Sequence, residues 1–163
     1  MNFGAMMESI VFDDEYFMRR ALSQAEAAAD MGEVPVGAVA VRDGAVIASS
    51  GNQVEMLRDA TAHAEVLVIT QAAARVGDWR LDDVDIYVTK EPCAMCAGAM
   101  VNSRVRRVVF GAYDPRAGCA GSALDVTSFP GMLHSVEVRG GVLEGECSAI
   151  LKEFFRKLRV DDA

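Results

Sequence analysis

Four residues of this chain have the types and the spacing to do chemistry: His63 and Glu65 in the stretch TAHAE, and Cys93 and Cys96 in the stretch EPCAMC. The two cysteines stand i, i+3 at the start of a predicted helix, which puts both sulfurs on one helical face. A helix N-terminus favours thiolate over thiol, because its dipole and free N–H groups stabilise negative charge. Two thiolates and an imidazole make three soft ligands for Zn²⁺ and leave a fourth position for water, the mark of a catalytic rather than a structural site. Glu65 follows His63 by two residues, so in a first helical turn both can border one pocket. A carboxylate beside a zinc-bound water can take its proton and pass it to a substrate. Plainer readings stand beside this one. A C-x-x-C can be a redox pair, which leaves His63 and Glu65 unexplained. A closed structural zinc site needs a fourth ligand, and neither motif has another Cys or His close by. A histidine near a helix start can also be a cap or a satisfied core group. His134, Cys119 and Cys147 lack such partners and read as packing or surface residues.

The elements that must position these residues follow from periodicity and breakers. Residues 13–30, DDEYFMRRALSQAEAAAD, predict a helix with Phe17, Ala21, Leu22, Ala25 and Ala28 on its apolar face and Gly32 past its end. VGAVAVR (36–42) and AVIASS (45–50) predict two strands joined at Asp43-Gly44, a strong hairpin signal. Residues 62–77 predict a helix with Thr61 as N-cap and Gly77 as stop. A buried strand (84–90), a short helix (93–103) led in by Pro92, and a strand (106–112) come next. A loop-rich segment (113–132), an edge strand (134–140) and a final helix (144–159) complete the chain. Strands alternating with helices predict an α/β domain of three layers, and the hairpin makes the sheet mixed.

Bulk properties narrow the class. The 163 residues predict one domain, and the net charge of −8 speaks against a general nucleic-acid binder. Residues 1–60 carry a balance of −6 and residues 61–163 only −2, with locally basic stretches at SRVRR (103–107) and LKEFFRKLR (151–159). The opening residues have neither a basic n-region nor a long apolar run, so no signal peptide is predicted. No apolar run reaches the ~18 residues of a membrane span. The expected location is cytoplasmic, where the four cysteines stay reduced.

H-x-E followed by P-C-x-x-C is the signature of zinc nucleobase deaminases. With EVPVGAV (33–39), TAHAE, YVTKEPCAMCAGAM (87–100), RVVFGA (107–112), GMLHSVEV (131–138) and ECSAILKEFFR (146–156), the chain resembles the bacterial tRNA-specific adenosine deaminases over nearly all of its length. The zinc motifs alone specify only the wider cytidine deaminase-like superfamily; the adjoining stretches narrow it. The resemblance implies a cytidine deaminase-like α/β fold of three layers, a five-stranded mixed sheet flanked by helices, in a single zinc-dependent deaminase domain over 1–163. It implies one Zn²⁺ per subunit, a homodimer, and a tRNA anticodon stem-loop bound near the dimer interface, with no membrane. The implied reaction is hydrolytic deamination of the wobble adenosine to inosine, zinc-hydroxide attacking C6 with Glu65 as proton shuttle. Residue by residue, His63, Cys93 and Cys96 resemble the zinc ligands. Asn52 resembles the asparagine that hydrogen-bonds the flipped base, Val36 a pocket wall and Ala64 a main-chain contact to the base's polar edge. Asp114 resembles a residue near the nucleotide backbone; a simple Asp-Pro turn is the alternative there.

The chain departs from the family in places. A His-Asp-Pro-Thr run often precedes the HAE motif, whereas LRDATAHAE stands here, with Arg58 and Ala60. Candidate RNA contacts are Arg104, Arg106, Arg107, Lys152, Arg156, Lys157 and Arg159. Two other functions remain open at this point: a free nucleobase or nucleoside deaminase acting on guanine, cytosine or cytidine, and a non-catalytic zinc-bearing RNA-binding or assembly subunit. The second leaves Glu65 without a purpose.

Overall fold

Asp13 opens the first helix: its side chain accepts from the Tyr16 N–H at 2.9 Å and satisfies one of the free donors of the first turn. This is seen in a computed structural model that describes residues 12–163. The reading that no signal peptide is present falls mainly on residues 1–11, outside the described residues. Helix α1 spans Asp14–Asp30 and buries the predicted face, Phe17, Ala21, Leu22, Ala25 and Ala28, together with Met18.

Strands β1 (Gly37–Arg42) and β2 (Ala45–Gly51) form the expected antiparallel hairpin. Asp43 and Gly44 both take positive φ, 51° and 74°, which is the turn whose twist matches the flanking strands. A short helix α2 (Val54–Leu57), which periodicity over four residues could not reveal, precedes α3 (Ala64–Val76). The expected N-cap of α3 is corrected. His63, not Thr61, occupies that position, because Thr61 is held by its own neighbour: its N–H and hydroxyl both donate to Asp59 Oδ1, at 2.8 and 2.7 Å.

The chain continues through β3 (Val84–Lys90), α4 (Ala94–Asn102), β4 (Arg107–Ala112), β5 (Glu137–Arg139) and α5 (Glu144–Asp161). The sheet is five-stranded and mixed, ordered β2-β1-β3-β4-β5. β1 runs antiparallel to β2 and β3, while β3, β4 and β5 run parallel. The predicted edge strand is therefore at the edge, but only three residues of it pair.

Alternate residues of the central strands feed two cores. Ile86, Val88, Val108 and Phe110 pack with Val68 of α3 and Met100 of α4 on one face. Tyr87 and Val109 pack with Phe17 and Met18 of α1 and Cys147 of α5 on the other. Helices thus cover both faces, giving three layers. Gly111 lets α5 approach: a Cβ there would lie 2.3 Å from Cys147 Sγ and 2.9 Å from the Thr89 carbonyl oxygen. Among the described residues, no helix is long and apolar enough to cross a membrane.

An ion network ties α1 to the sheet. Asp14 accepts from Tyr87 Oη at 2.6 Å and from both terminal nitrogens of Arg107, and it pairs with Arg139. Burial raises the Asp14 carboxyl, but these donors outweigh it and hold it below its ordinary value. A carboxyl whose folded value is depressed binds protons more weakly than in the unfolded chain. Its stabilisation is complete above the unfolded value of about 3.9 and is lost as pH falls through the folded one. Asp14→Asn should therefore cost about 1–3 kcal/mol at pH 7 and progressively less as pH falls below about 3.9, read from urea unfolding over a pH series. A cost that does not change with pH over the acid range would contradict the network's ionic character.

Candidate metal centre

Two helix N-termini meet at one end of the sheet. α4 starts at the C-terminal end of the parallel strand β3, where open α/β sheets place their sites. Its N-cap is Cys93, and Cys96 lies in its first turn. The N-cap of α3 is His63, with Ala64 and Glu65 as its first two residues. The His63 side chain makes no capping bond to its own helix, and both cap side chains turn toward the same space.

His63 Nδ1 lies 3.6 Å from Cys93 Sγ and 3.5 Å from Cys96 Sγ. All three ligand atoms fall within 4.8 Å of one another. Tetrahedral coordination with a metal–sulfur bond of ~2.3 Å and a metal–nitrogen bond of ~2.0 Å requires a sulfur–nitrogen separation of ~3.6 Å. The triad therefore fits a metal ion by both donor chemistry and spacing. Cys119 and Cys147 are buried and stand outside it. His134 also stands apart, its Nε2 lying 2.7 Å from the Val105 carbonyl oxygen.

Electrostatics bear on the same atoms. The hydrogen bond from Cys96, helped by backbone N–H groups and His63, brings the Cys93 thiol down to about 5. Cys96, sharing that hydrogen bond and buried, is pushed above the ordinary thiol value. Glu65 is only 4% exposed, and burial raises its carboxyl, against the pull of its backbone N–H and His63.

A cavity of about 560 Å³ opens beside the triad. Of the residues singled out in the sequence, Val36, Asn52, His63, Ala64, Glu65 and Cys93 line it, and Cys96 stands behind them. Asn52 is 8% exposed, and its side-chain oxygen is buried with no hydrogen-bond partner. An unpaired buried acceptor costs about 1–3 kcal/mol and calls for a donor from something bound. Asp114 is not part of the wall. It reaches it through Lys90, whose Nζ lies 2.9 Å from Asp114 Oδ2.

Sequence reading missed three lining carboxylates, the short helix α2, and the part that α5 plays in the wall. Glu91 is 3% exposed and accepts from the N–H groups of Asp114, Ala120 and Ser122, so it pins loop 114–122 beside the turn into Cys93. Glu33 is 1% exposed and accepts from the N–H groups of Glu55 and Met56, fixing α2 at the cavity. Glu55 lines the wall from α2 itself. Phe154 and Leu158 extend the wall from α5. An acid in a sequence looks the same whether it faces water or a ring of backbone donors, so no signal marked them.

A family model for MafB19-like deaminases matches residues 12–159. The tRNA-specific adenosine deaminase of Bacillus subtilis (strain 168) is 49% identical over 146 residues, covering 90% of this chain and 91% of that one. The enzyme of the same name from Agrobacterium fabrum is 47% identical over 147 residues, covering 90% and 97%. Among solved structures, a tRNA:A34 deaminase from a study of A-to-I editing at the wobble position superposes with a TM-score of 0.81. It is 46% identical, with 83% of this chain and 99% of that one covered. A guanine deaminase from Nitrosomonas europaea superposes at 0.75 with 25% identity, covering 86% and 83%.

Iodoacetamide at pH 7 should label metal-free protein first at Cys93, which is half-exposed and ionised above about 5. Cys147, buried and pushed up to about 12, should lag far behind. One equivalent of a divalent soft metal ion should protect Cys93. Peptide mass spectrometry reads both. Labelling of Cys93 at the rate of Cys147, with no protection by metal, would remove the metal centre.

Proposed function

The chain belongs to the MafB19-like deaminase family and, within it, to the tRNA-specific adenosine deaminases, and from that premise we propose that it deaminates the wobble adenosine of a tRNA anticodon to inosine. The observation that carries the reading is the buried carboxyl of Glu65 beside the His63, Cys93 and Cys96 triad, in a cavity that holds one unpaired acceptor, Asn52. On this reading His63, Cys93 and Cys96 hold one Zn²⁺ per subunit, the soft ion that two thiolates and an imidazole select. When bound, zinc lowers the pKa of a coordinated water from 15.7 towards ~7 and so supplies a nucleophile at neutral pH.

The chain's own residues do the rest. A base splayed from a single-stranded loop costs little to unstack and enters the cavity edge-first. Asn52 offers its buried oxygen to a donor of the nucleotide. Val36 and the Ala64 main chain bound the base. Glu65 takes the proton of the attacking water and gives it to N1 as C6 becomes tetrahedral. It then takes the remaining hydroxyl proton and delivers it to the amino group, which leaves as ammonia. Water and adenosine are consumed, and inosine and ammonia are formed. A shuttle that both accepts and donates needs a pKa near working pH, and the burial of Glu65 moves it in that direction.

Free guanine, cytosine or cytidine is the alternative substrate class. Guanine deaminase neighbours share the fold at 25% and 33% identity, against 46% for the tRNA:A34 deaminase, so the tRNA reading has the stronger support. We further read residues 1–163 as one deaminase domain, cytoplasmic, and active as a homodimer. The large apolar side chains exposed on α4 and loop 113–133, among them Met95, Leu124, Phe129 and Leu133, support a self-associating face. Sedimentation at micromolar concentration should give twice the chain mass; a monomer would remove the dimer.

The function is tested with an arginine-tRNA anticodon stem-loop bearing wobble A, set beside free adenosine, cytidine, cytosine and guanine. Inosine should form in the stem-loop. Glu65→Gln should lose about 10²–10⁴-fold in kcat while keeping its zinc and its KM. Product from a free base alone would replace the substrate assignment.

A further inference from the structure

The cavity wall is strongly acidic, yet the substrate read for it is a polyanion. Glu33, Glu55, Glu65 and Glu91 all line it. Among the described residues lining the cavity, Lys90 is the one lysine or arginine. Of the seven basic residues that the sequence offered as RNA contacts, four are in ion pairs and none lines the cavity. Arg107 and Arg106 are bound to Asp14 and Asp85, and Arg156 and Lys157 to Glu153.

Lys90 sits at the last position of β3, with its side chain 38% exposed, so it faces the cavity and solvent at once. Asp114 holds it. The Asp114 carboxylate is itself fixed by the N–H groups of Arg116 and Ala117, and its own backbone N–H donates to the buried Glu91. Burial acts to raise the Asp114 carboxyl, but Lys90 and these N–H groups overcome it and keep it ionised. The ammonium is therefore aimed by a chain of fixed contacts rather than left mobile. It has three donors, and Asp114 Oδ2 takes one. Two remain for an anion at the cavity mouth.

We propose that Lys90, positioned by Asp114, forms a phosphate-binding subsite for the backbone phosphate beside the deaminated nucleotide. The inference rests on the tRNA reading above. A base inserted in the cavity leaves its sugar and flanking phosphates at the mouth, where an acidic wall repels them unless a cation intervenes. Lys90 supplies that cation without placing a positive charge deep beside the metal triad. The role also gives the Asp114–Glu91 contact a purpose beyond ordering loop 114–122.

The test compares wild type, Lys90→Met and Lys90→Arg on the anticodon stem-loop, scoring inosine across a series of salt concentrations. Lys90→Met should raise KM about tenfold, with the loss in kcat smaller. It should also make the slope of log KM against log salt shallower by about 1, as expected for one lost phosphate contact. Lys90→Arg should restore most of both. A stem-loop with neutral methylphosphonates flanking the wobble adenosine should cost wild type a similar factor and cost Lys90→Met little more. Unchanged KM and salt slope in Lys90→Met would overturn the subsite while leaving the tRNA reading intact. So would a loss confined to kcat or to zinc content. If wild type itself makes no inosine, the tRNA reading fails and the subsite with it.

Discussion

The convergence of two helix N-termini at one end of the sheet is the constraint on which everything else depends. Free N–H groups and the helix dipole make each terminus a place where negative charge is stable. Here one terminus carries Cys93 and Cys96 and the other carries His63 and Glu65. Neither helix could assemble the group alone. α4 is set by the parallel β3–β4 pair it connects, and α3 is set by packing Val68 and Ala72 into the same core face. The sulfur–nitrogen distances of 3.5 and 3.6 Å follow from that packing rather than from any contact between the motifs in sequence.

Around this centre the chain uses carboxylates for quite different ends, sorted by what surrounds each one. Asp14 faces cations and stays ionised, joining α1 to the sheet. Glu33 and Glu91 are ringed by backbone N–H groups and act as ties for α2 and for loop 114–122. Glu65 is buried with few donors, so burial raises its pKa and leaves it suited to exchanging a proton. Part of the acidity behind the net charge of −8 is thus buried scaffolding. It does not by itself argue against a polyanionic substrate, once the cavity carries a held cation at Lys90.

Much of this was legible in the sequence because the signals are local. Apolar spacing in α1, the Asp43-Gly44 turn and the alternation of strands and helices each declare an element by themselves. The pair HAE and PCAMC pointed to one cluster, because few chemistries need those types at that spacing, and the structure brings His63, Cys93 and Cys96 together. What sequence could not show was which side chains turn inward from loops. Thr61 looked like a cap, but Asp59 captured it two residues earlier, and His63 took the cap position. Glu91 and Glu33 looked like ordinary acids near prolines, since their donors come from segments more than twenty residues away. The Lys90–Asp114 pair spans two strand ends and becomes visible only when β3 and β4 lie side by side.

If His63, Cys93 and Cys96 are the whole protein ligand set of the proposed zinc at the meeting of α3 and α4, X-ray absorption at the zinc edge of the purified protein should show two sulfur scatterers at ~2.3 Å and two lighter scatterers at ~2.0–2.1 Å, one from His63 and one from solvent. Three or four sulfurs would mean that Cys119 or another chain closes the site, and a structural rather than catalytic centre would have to replace the one described.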